Sequence, residues 1–414
     1  MRIDRLQVHV VEVPPPHVGG MYWIFVQLST ACGLEGVGEV YAASFHPRVM
    51  ELAIDDVYQR CLHGQDPHQV ERLFRSAYSS GFTQRPDLSV MGVLSGLELA
   101  CWDIIGKAAG QPVYQLLGGR VQERLRSYTY LYPQDAQGRY NYDDVDLAVE
   151  CALDYVERGF TAVKFDPAGP YTIHGGHHLS LAQMDHCETF CRRLREALGS
   201  RADLLVGTHG QMTPASAIRL ARRLEPYEPL WFEEPVPPGQ NSALAEVARN
   251  TRIPIAVGER LTTKYEFLDV MQHQAASILQ MNLGRVGGLM EAKKIAGMAE
   301  AHYLQIAPHL YNGPVGAAAS VQLATASPNF LIQESMLDWS GFYADILQEP
   351  IRWEHGFIVP PTAPGLGVAL NMEVVRAHSP YRGERLHLLM DPKPYDVVAD
   401  DEAWRQRWNH DKAL

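Results

Sequence analysis

In the second half of this chain a polar residue closes one short apolar run after another, at nearly constant spacing. Glu233 follows Leu230-Trp231-Phe232, and Glu259 follows Ile253-Pro254-Ile255-Ala256-Val257-Gly258. The two glutamates are 26 residues apart, about the length of one strand plus one helix. Further steps of 23, 27 and 25 reach Asn282, His309 and Glu334, each after an apolar stretch. One 26-residue step back from Glu233 reaches Gly207, two residues before His209. Strand–helix units whose polar residues fall at the C-terminal strand ends describe a (β/α) barrel with its chemistry on that face. Carboxylates on neighbouring strand ends repel unless a cation sits between them, and a hard cation takes oxygen ligands. Glu233 and Glu259 therefore read as ligands of one divalent ion.

Eight apolar stretches fit the spacing: 125–131, 162–165, 204–206, 230–232, 255–257, 277–280, 305–307 and 331–333. Helical patterns lie between them at 144–158, 181–198, 214–224, 286–301 and 314–326. Eight strands are what barrel closure needs. Residues 1–120 have another texture, with strand patterns at 3–13 and 22–28 and helical stripes at 48–62, 70–79 and 93–109. The expected layout is an α+β domain over 1–120, a barrel over 121–340, and a tail over 341–414 that returns to the first domain. The stretch Gly33-Leu34-Glu35-Gly36-Val37-Gly38 does not match GxGxxG, so it is not read as a dinucleotide loop.

A chain of 414 residues has room for two domains, and 46% hydrophobic with 20% charged residues fits an ordinary globular enzyme. The net charge of −12 argues against nucleic acid or an anionic membrane as the main partner. Met1-Arg2-Ile3-Asp4-Arg5 carries charge where a signal peptide needs an apolar core. No stretch reads as a bilayer span, so the expected location is the cytoplasm. None of the six cysteines forms a CxxC pair; they are read as plain thiols, including Cys187 and Cys191 on one helical pattern.

Lys164 and Asp166 alternate along the second strand and so face the same way. A lysine near a cation loses affinity for its proton and can act as a base; an ion pair with Asp166 is the structural alternative. His209 and His309 follow the third and seventh strands, and two histidines among carboxylates point to acid–base chemistry. Glu334 closes the eighth strand, placed to meet a substrate carboxylate or to orient His309. The run His174-Gly175-Gly176-His177-His178 reads as a flexible loop beside the active site rather than a metal centre. Arg285 and Lys264 could touch an anionic substrate, but each reads first as a surface or ion-pair residue. Specificity is expected in the loops 19–23 and 167–178. Trp23, Asp166, Asn282 and Arg260 make up the expected substrate contacts.

Several segments, taken in order, resemble the enolase superfamily, in its mandelate racemase subgroup and nearest the sugar-acid dehydratases such as galactonate dehydratase. They are residues 94–103 (LSGLELACWD), Leu116-Leu117-Gly118-Gly119, Phe232-Glu233-Glu234-Pro235-Val236, Gly258-Glu259-Arg260-Leu261, Val286-Gly287-Gly288, Ala307-Pro308-His309 and Pro364-Gly365-Leu366-Gly367. The resemblance implies a (β/α)7β-type modified TIM barrel beneath an α+β capping domain formed from both termini. It implies one Mg2+ per subunit on strand-end carboxylates, with Mn2+ as a substitute, and a homo-oligomer. It also implies removal of the proton α to a carboxylate, giving a metal-stabilised enediolate. Two positions depart from the family pattern. Gly207 stands where the family has an Asp metal ligand at the end of strand three, leaving His209 or water as the third ligand. Asn282 stands where the family has an Asp that orients the strand-seven histidine.

The expected function is an Mg2+-dependent dehydratase that converts an aldonate or aldarate to a 2-keto-3-deoxy acid. His309 is the expected base, with Lys164 second, and His209 serves as acid or third ligand. The alternatives are an epimerase, racemase or lactone cycloisomerase, or a sugar-acid-binding relative without activity.

Overall fold

The computed structural model of the chain describes residues 1–41, 44–138, 140–168 and 171–388. By packing, the chain forms two compact units. One holds Met1–Ser127, Gly258–Leu268 and the described chain from Leu279 onward; the other holds Tyr128–Val257 and Asp269–Ile278. The end of the expected returning tail, 389–414, lies outside the described residues.

The first unit opens with an antiparallel meander of Ile3–Glu12, Tyr22–Thr30 and Glu35–Val40, in register through Val10 opposite Ile24 and Ile24 opposite Val40. Helix Leu88–Ala109 packs on it. The approach is close because Gly38 has no side chain: a Cβ there would lie 1.9 Å from the Gly96 carbonyl. The helix begins five residues before the periodic stripe at 93, because the Asp87 side chain accepts the N–H groups of Ser89 and Val90. Contrary to the sequence reading, this segment is long and apolar enough to cross a membrane. Its apolar window is 83% buried within the protein, which makes it the core helix of the unit.

That helix also explains why distant sequence motifs belong together. Ser95 accepts the Gly287 N–H, and Glu98 accepts those of Leu289 and Met290. Asp103 accepts the N–H groups of Val37 and Leu366. The Gly287-Gly288 turn has φ of +115° and +94°, so helix Leu289–Ala301 starts three residues later than periodicity indicates. Glu39 plays the same part for helix Pro314–Thr325, accepting from Gly313 and Gly316. Burial pushes both Glu39 and Glu98 up to about 7.

The second unit is a parallel ladder. Strands Leu125–Tyr130, Ala162–Phe165, Asp203–Gly207, Trp231–Glu233 and Ile255–Val257 pair in sequence order. The three middle strands from Ala162 onward are almost wholly buried, as their unbroken apolar composition requires. Helices Val145–Arg158, Leu181–Leu198 and Pro214–Leu224 are capped by Asp144, Ser180 and Thr213. Cys187 and Cys191 are buried free thiols on the second of these. The remaining expected strands are present as Ile278–Leu279, Gln305–Ile306 and Gln333–Ser335. The last begins two residues later than expected, which puts Glu334 inside the strand rather than beyond it.

Candidate active site

Register places the second unit's chemistry. Gly207 lies opposite Glu233, and Lys164 opposite Leu205, so side chains at these strand ends are neighbours. Lys164 Nζ lies 2.6 Å from Glu233 Oε1, and both side chains are 3% exposed. A buried ion pair is costly unless its remaining lone pairs are met; here Trp231 Nε1 donates to Glu233 Oε2 at 2.9 Å. Lys164 thus pairs with Glu233, and its charge also acts on Asp166, holding that carboxyl down. As an ammonium it has no lone pair with which to take a proton.

Asp166 instead holds His209. Its Oδ2 lies 2.7 Å from His209 Nδ1, and its Oδ1 accepts the Ala168 N–H at 3.0 Å. Burial pushes the Asp166 carboxyl up, and the His209 hydrogen bond pulls it back. Where the carboxylate accepts from Nδ1–H, the lone pair of the neutral ring lies on Nε2. His209 has φ +49° and Glu234 +45°, both in the left-handed region, where non-glycine residues are strained. Thr208 Oγ1 holds the turn by donating to the carbonyls of Glu233 and Glu234, each at 2.8 Å. The Tyr171 ring meets the imidazole edge-on at 4.6 Å. Sequence reading did not find Thr208, Trp231 or Tyr171, because none closes an apolar run.

Mg2+ needs several oxygen donors, and the strand ends of this unit hold theirs in other bonds. Gly207 offers none. Both Glu233 oxygens carry donors from Lys164 and Trp231. His209 is tied to Asp166. Among the described residues no three His, Cys, Asp or Glu side chains form a group that could hold a metal. The His174–His178 run does not form one either: His177 bridges to Met212 and exchanges backbone hydrogen bonds with Gln211 and Thr213.

In the first unit, Gly258 turns the chain into Glu259 at φ +141°, where a Cβ would lie 2.8 Å from Phe267 Cε1 and 2.9 Å from Gln280 N. Glu259 Oε2 lies 3.3 Å from His309 Nε2, and Glu334 Oε2 lies 3.8 Å from the same nitrogen. Glu334 Oε2 also accepts the Leu310 N–H at 2.8 Å. Asn282 closes the other side of the ring. Its Oδ1 accepts the Gly284 N–H at 2.8 Å, which orients the amide. Its Nδ2 then donates to His309 Nδ1 at 3.0 Å and to Asn312 Oδ1 at 3.0 Å. A donor on Nδ1 makes that nitrogen the acceptor, so the proton of the neutral ring lies on Nε2. In that tautomer Nε2 is a donor.

Other expected contacts fall elsewhere. Asn282 is 1% exposed and hydrogen-bonds these internal partners, His309 among them. Trp23 is buried, gives its indole N–H to the Gly19 carbonyl at 3.0 Å, and stacks on Phe342; it is a packing residue. Arg260 is half-buried. Arg285 is no surface residue: it is 5% exposed. Lys264 pairs with Glu291 at 2.9 Å, as its structural reading has it.

Comparison with known proteins agrees with this architecture. Residues 7–118 match the N-terminal domain of the mandelate racemase/muconate lactonizing enzyme family, and residues 147–374 match the enolase C-terminal domain-like family. D-xylonate dehydratase of Haloferax volcanii is 33% identical over 375 residues, covering 89% of this chain and 88% of that protein. D-galactonate dehydratase of Verminephrobacter eiseniae is 34% identical over 385 residues, covering 92% and 94%. A crystal structure from Burkholderia SAR-1 superimposes with a TM-score of 0.95 at 69% identity, covering 96% of this chain and 98% of that one.

Proposed function

The chain belongs to the enolase superfamily, in the mandelate racemase group, with that family's N-terminal cap and C-terminal TIM barrel, and from this premise we propose that it is a hydro-lyase acting on a sugar acid. The observation that carries the reading is the Asp166–His209 pair at 2.7 Å, a base oriented by a buried carboxylate. The relatives named as xylonate and galactonate dehydratases support the reaction class.

In this reading His209 Nε2 removes the proton α to the carboxylate. The imidazolium then returns that proton to the departing β-hydroxyl, so water leaves and the enol relaxes to a 2-keto-3-deoxy acid. His309, in the first unit, carries its ring proton on Nε2 and is a donor there. Racemisation needs a second base on the opposite face. Lys164 is held as an ammonium and His309 carries its proton on Nε2, so neither supplies one. Superfamily members typically bind Mg2+. The expected ion on Glu233, Glu259 and His209, one per subunit with Mn2+ as a substitute, is not carried into this reading, because an ammonium already holds Glu233. The reading keeps a small-molecule acid substrate, a cytoplasmic homo-oligomer, and a cap of 1–120 and 341–414 on a barrel of 121–340. The test is incubation with a panel of aldonic and aldaric acids, with 2-keto acid read by a carbonyl reagent. No product across the panel contradicts it.

A further inference from the structure

Arg285 is a buried guanidinium with two donors that the protein leaves unmet. Its Nη1 donates to the Glu259 carbonyl at 3.1 Å, and its Cζ lies 3.7 Å from the centre of the Tyr41 ring. Nε and Nη2 are buried and have no hydrogen-bond partner. The Glu259 carbonyl meets Arg285, and the Glu259 carboxylate lies against His309. Taking a guanidinium out of water is costly unless an anion and hydrogen bonds replace that water. The Tyr41 face offsets part of the cost. The rest is unmet.

The unmet pair has a definite shape. Nε and Nη2 form one edge of the guanidinium, the fork that grips both oxygens of a carboxylate. Two short links join Arg285 to His309 within the same unit. One is Glu259, whose carbonyl meets Arg285 and whose Oε2 lies 3.3 Å from His309 Nε2. The other is Tyr41, which faces Arg285 and stacks on the His309 ring at 6.3 Å. The His387 ring lies against Tyr41 at 5.1 Å; burial, and the positive charge of Arg285, hold its pKa down to about 3. A neutral His387 leaves Arg285 as the positive charge of the group.

We propose that the Nε–Nη2 edge of Arg285 is the carboxylate-binding site of this protein, holding its acid substrate beside His309. The identity of that acid rests on the sugar-acid reading; the anion site itself does not.

Calorimetry tests this with D-gluconate, with sorbitol as the uncharged control and glycolate as a bare carboxylate. The proteins are the parent, Arg285→Met and Arg285→Lys, each checked for folding by circular dichroism. The parent binds gluconate and not sorbitol. Arg285→Met weakens gluconate by about 10- to 100-fold, the scale of charged hydrogen bonds. Arg285→Lys, which keeps the charge without the fork, falls between. If gluconate does not bind but glycolate binds the parent and not Arg285→Met, the anion site stands and the sugar-acid reading falls. Equal binding of either acid by parent and variants overturns the proposal, as does binding of neither acid to the parent. Should Arg285→Met not fold, Arg285→Lys decides: unchanged affinity overturns it.

Discussion

Asn282 donates through Nδ2 to Nδ1 of His309 at 3.0 Å, and this bond sets which nitrogen of the imidazole carries the proton. An Asp at 282 would accept from Nδ1–H and leave Nε2 as a base; the amide does the reverse. Ring 15N shifts should report an Nε2–H neutral tautomer in the parent and an Nδ1–H tautomer in Asn282→Asp. A parent ring protonated on Nδ1 would remove the basis for treating His309 as a donor.

The Lys164–Glu233 pair predicts unusual metal behaviour. A divalent ion must displace the ammonium from Glu233 before it can bind there. Lys164→Met should therefore tighten Mg2+ binding, by about ten-fold or more for the loss of one competing charge. Titration calorimetry reads the difference. Equal affinity in parent and variant would show that Lys164 does not compete.

Stability should depend on pH through three buried groups. Glu39 and Glu98 stand at about 7 in the folded protein, above the ordinary 4.5. A raised folded pKa stabilises below the unfolded value, and that contribution is lost as pH rises through about 7. His387 is depressed to about 3 from 6.5. Its contribution is complete above 6.5 and is lost as pH falls towards 3. The two glutamates outweigh the one histidine between 4.5 and 6.5 and act alone from 6.5 to about 7, above which the slope levels off. Stability from urea unfolding should therefore fall between pH 5 and 7 by an amount on the order of a few kcal/mol. Glu98→Gln should flatten the slope. An unchanged slope in that variant would mean that Glu98 does not titrate there.

The fold was legible because spacing, and not any single residue, carried it. The same interval reached Glu233, Glu259, Asn282, His309 and Glu334, and all five lie at or just beyond their strands. Element starts were less legible. Asp87 extends one helix and the Gly287-Gly288 turn delays another, because caps and positive-φ turns break an apolar stripe without altering its period. The site was legible as a set of residues and not as a set of pairs. Lys164 and Asp166 were put on one face, and each also found a partner elsewhere: Glu233 on another strand for one, His209 in the turn beyond a strand for the other. Pairing depends on register, which sets Gly207 opposite Glu233 and Lys164 opposite Leu205. Arg285 read as a surface residue because nothing near it in sequence reveals that Tyr41 covers it.

Hydrogen exchange separates the two histidines most directly. In D2O the parent, given a sugar acid that it turns over, should exchange the α-hydrogen and form the 2-keto acid. In His209→Asn both should vanish, because the base is gone. In His309→Asn, exchange should persist, because Nε2 of that ring carries a proton and cannot take one. Exchange abolished in His309→Asn and retained in His209→Asn would contradict the account and make His309 the base.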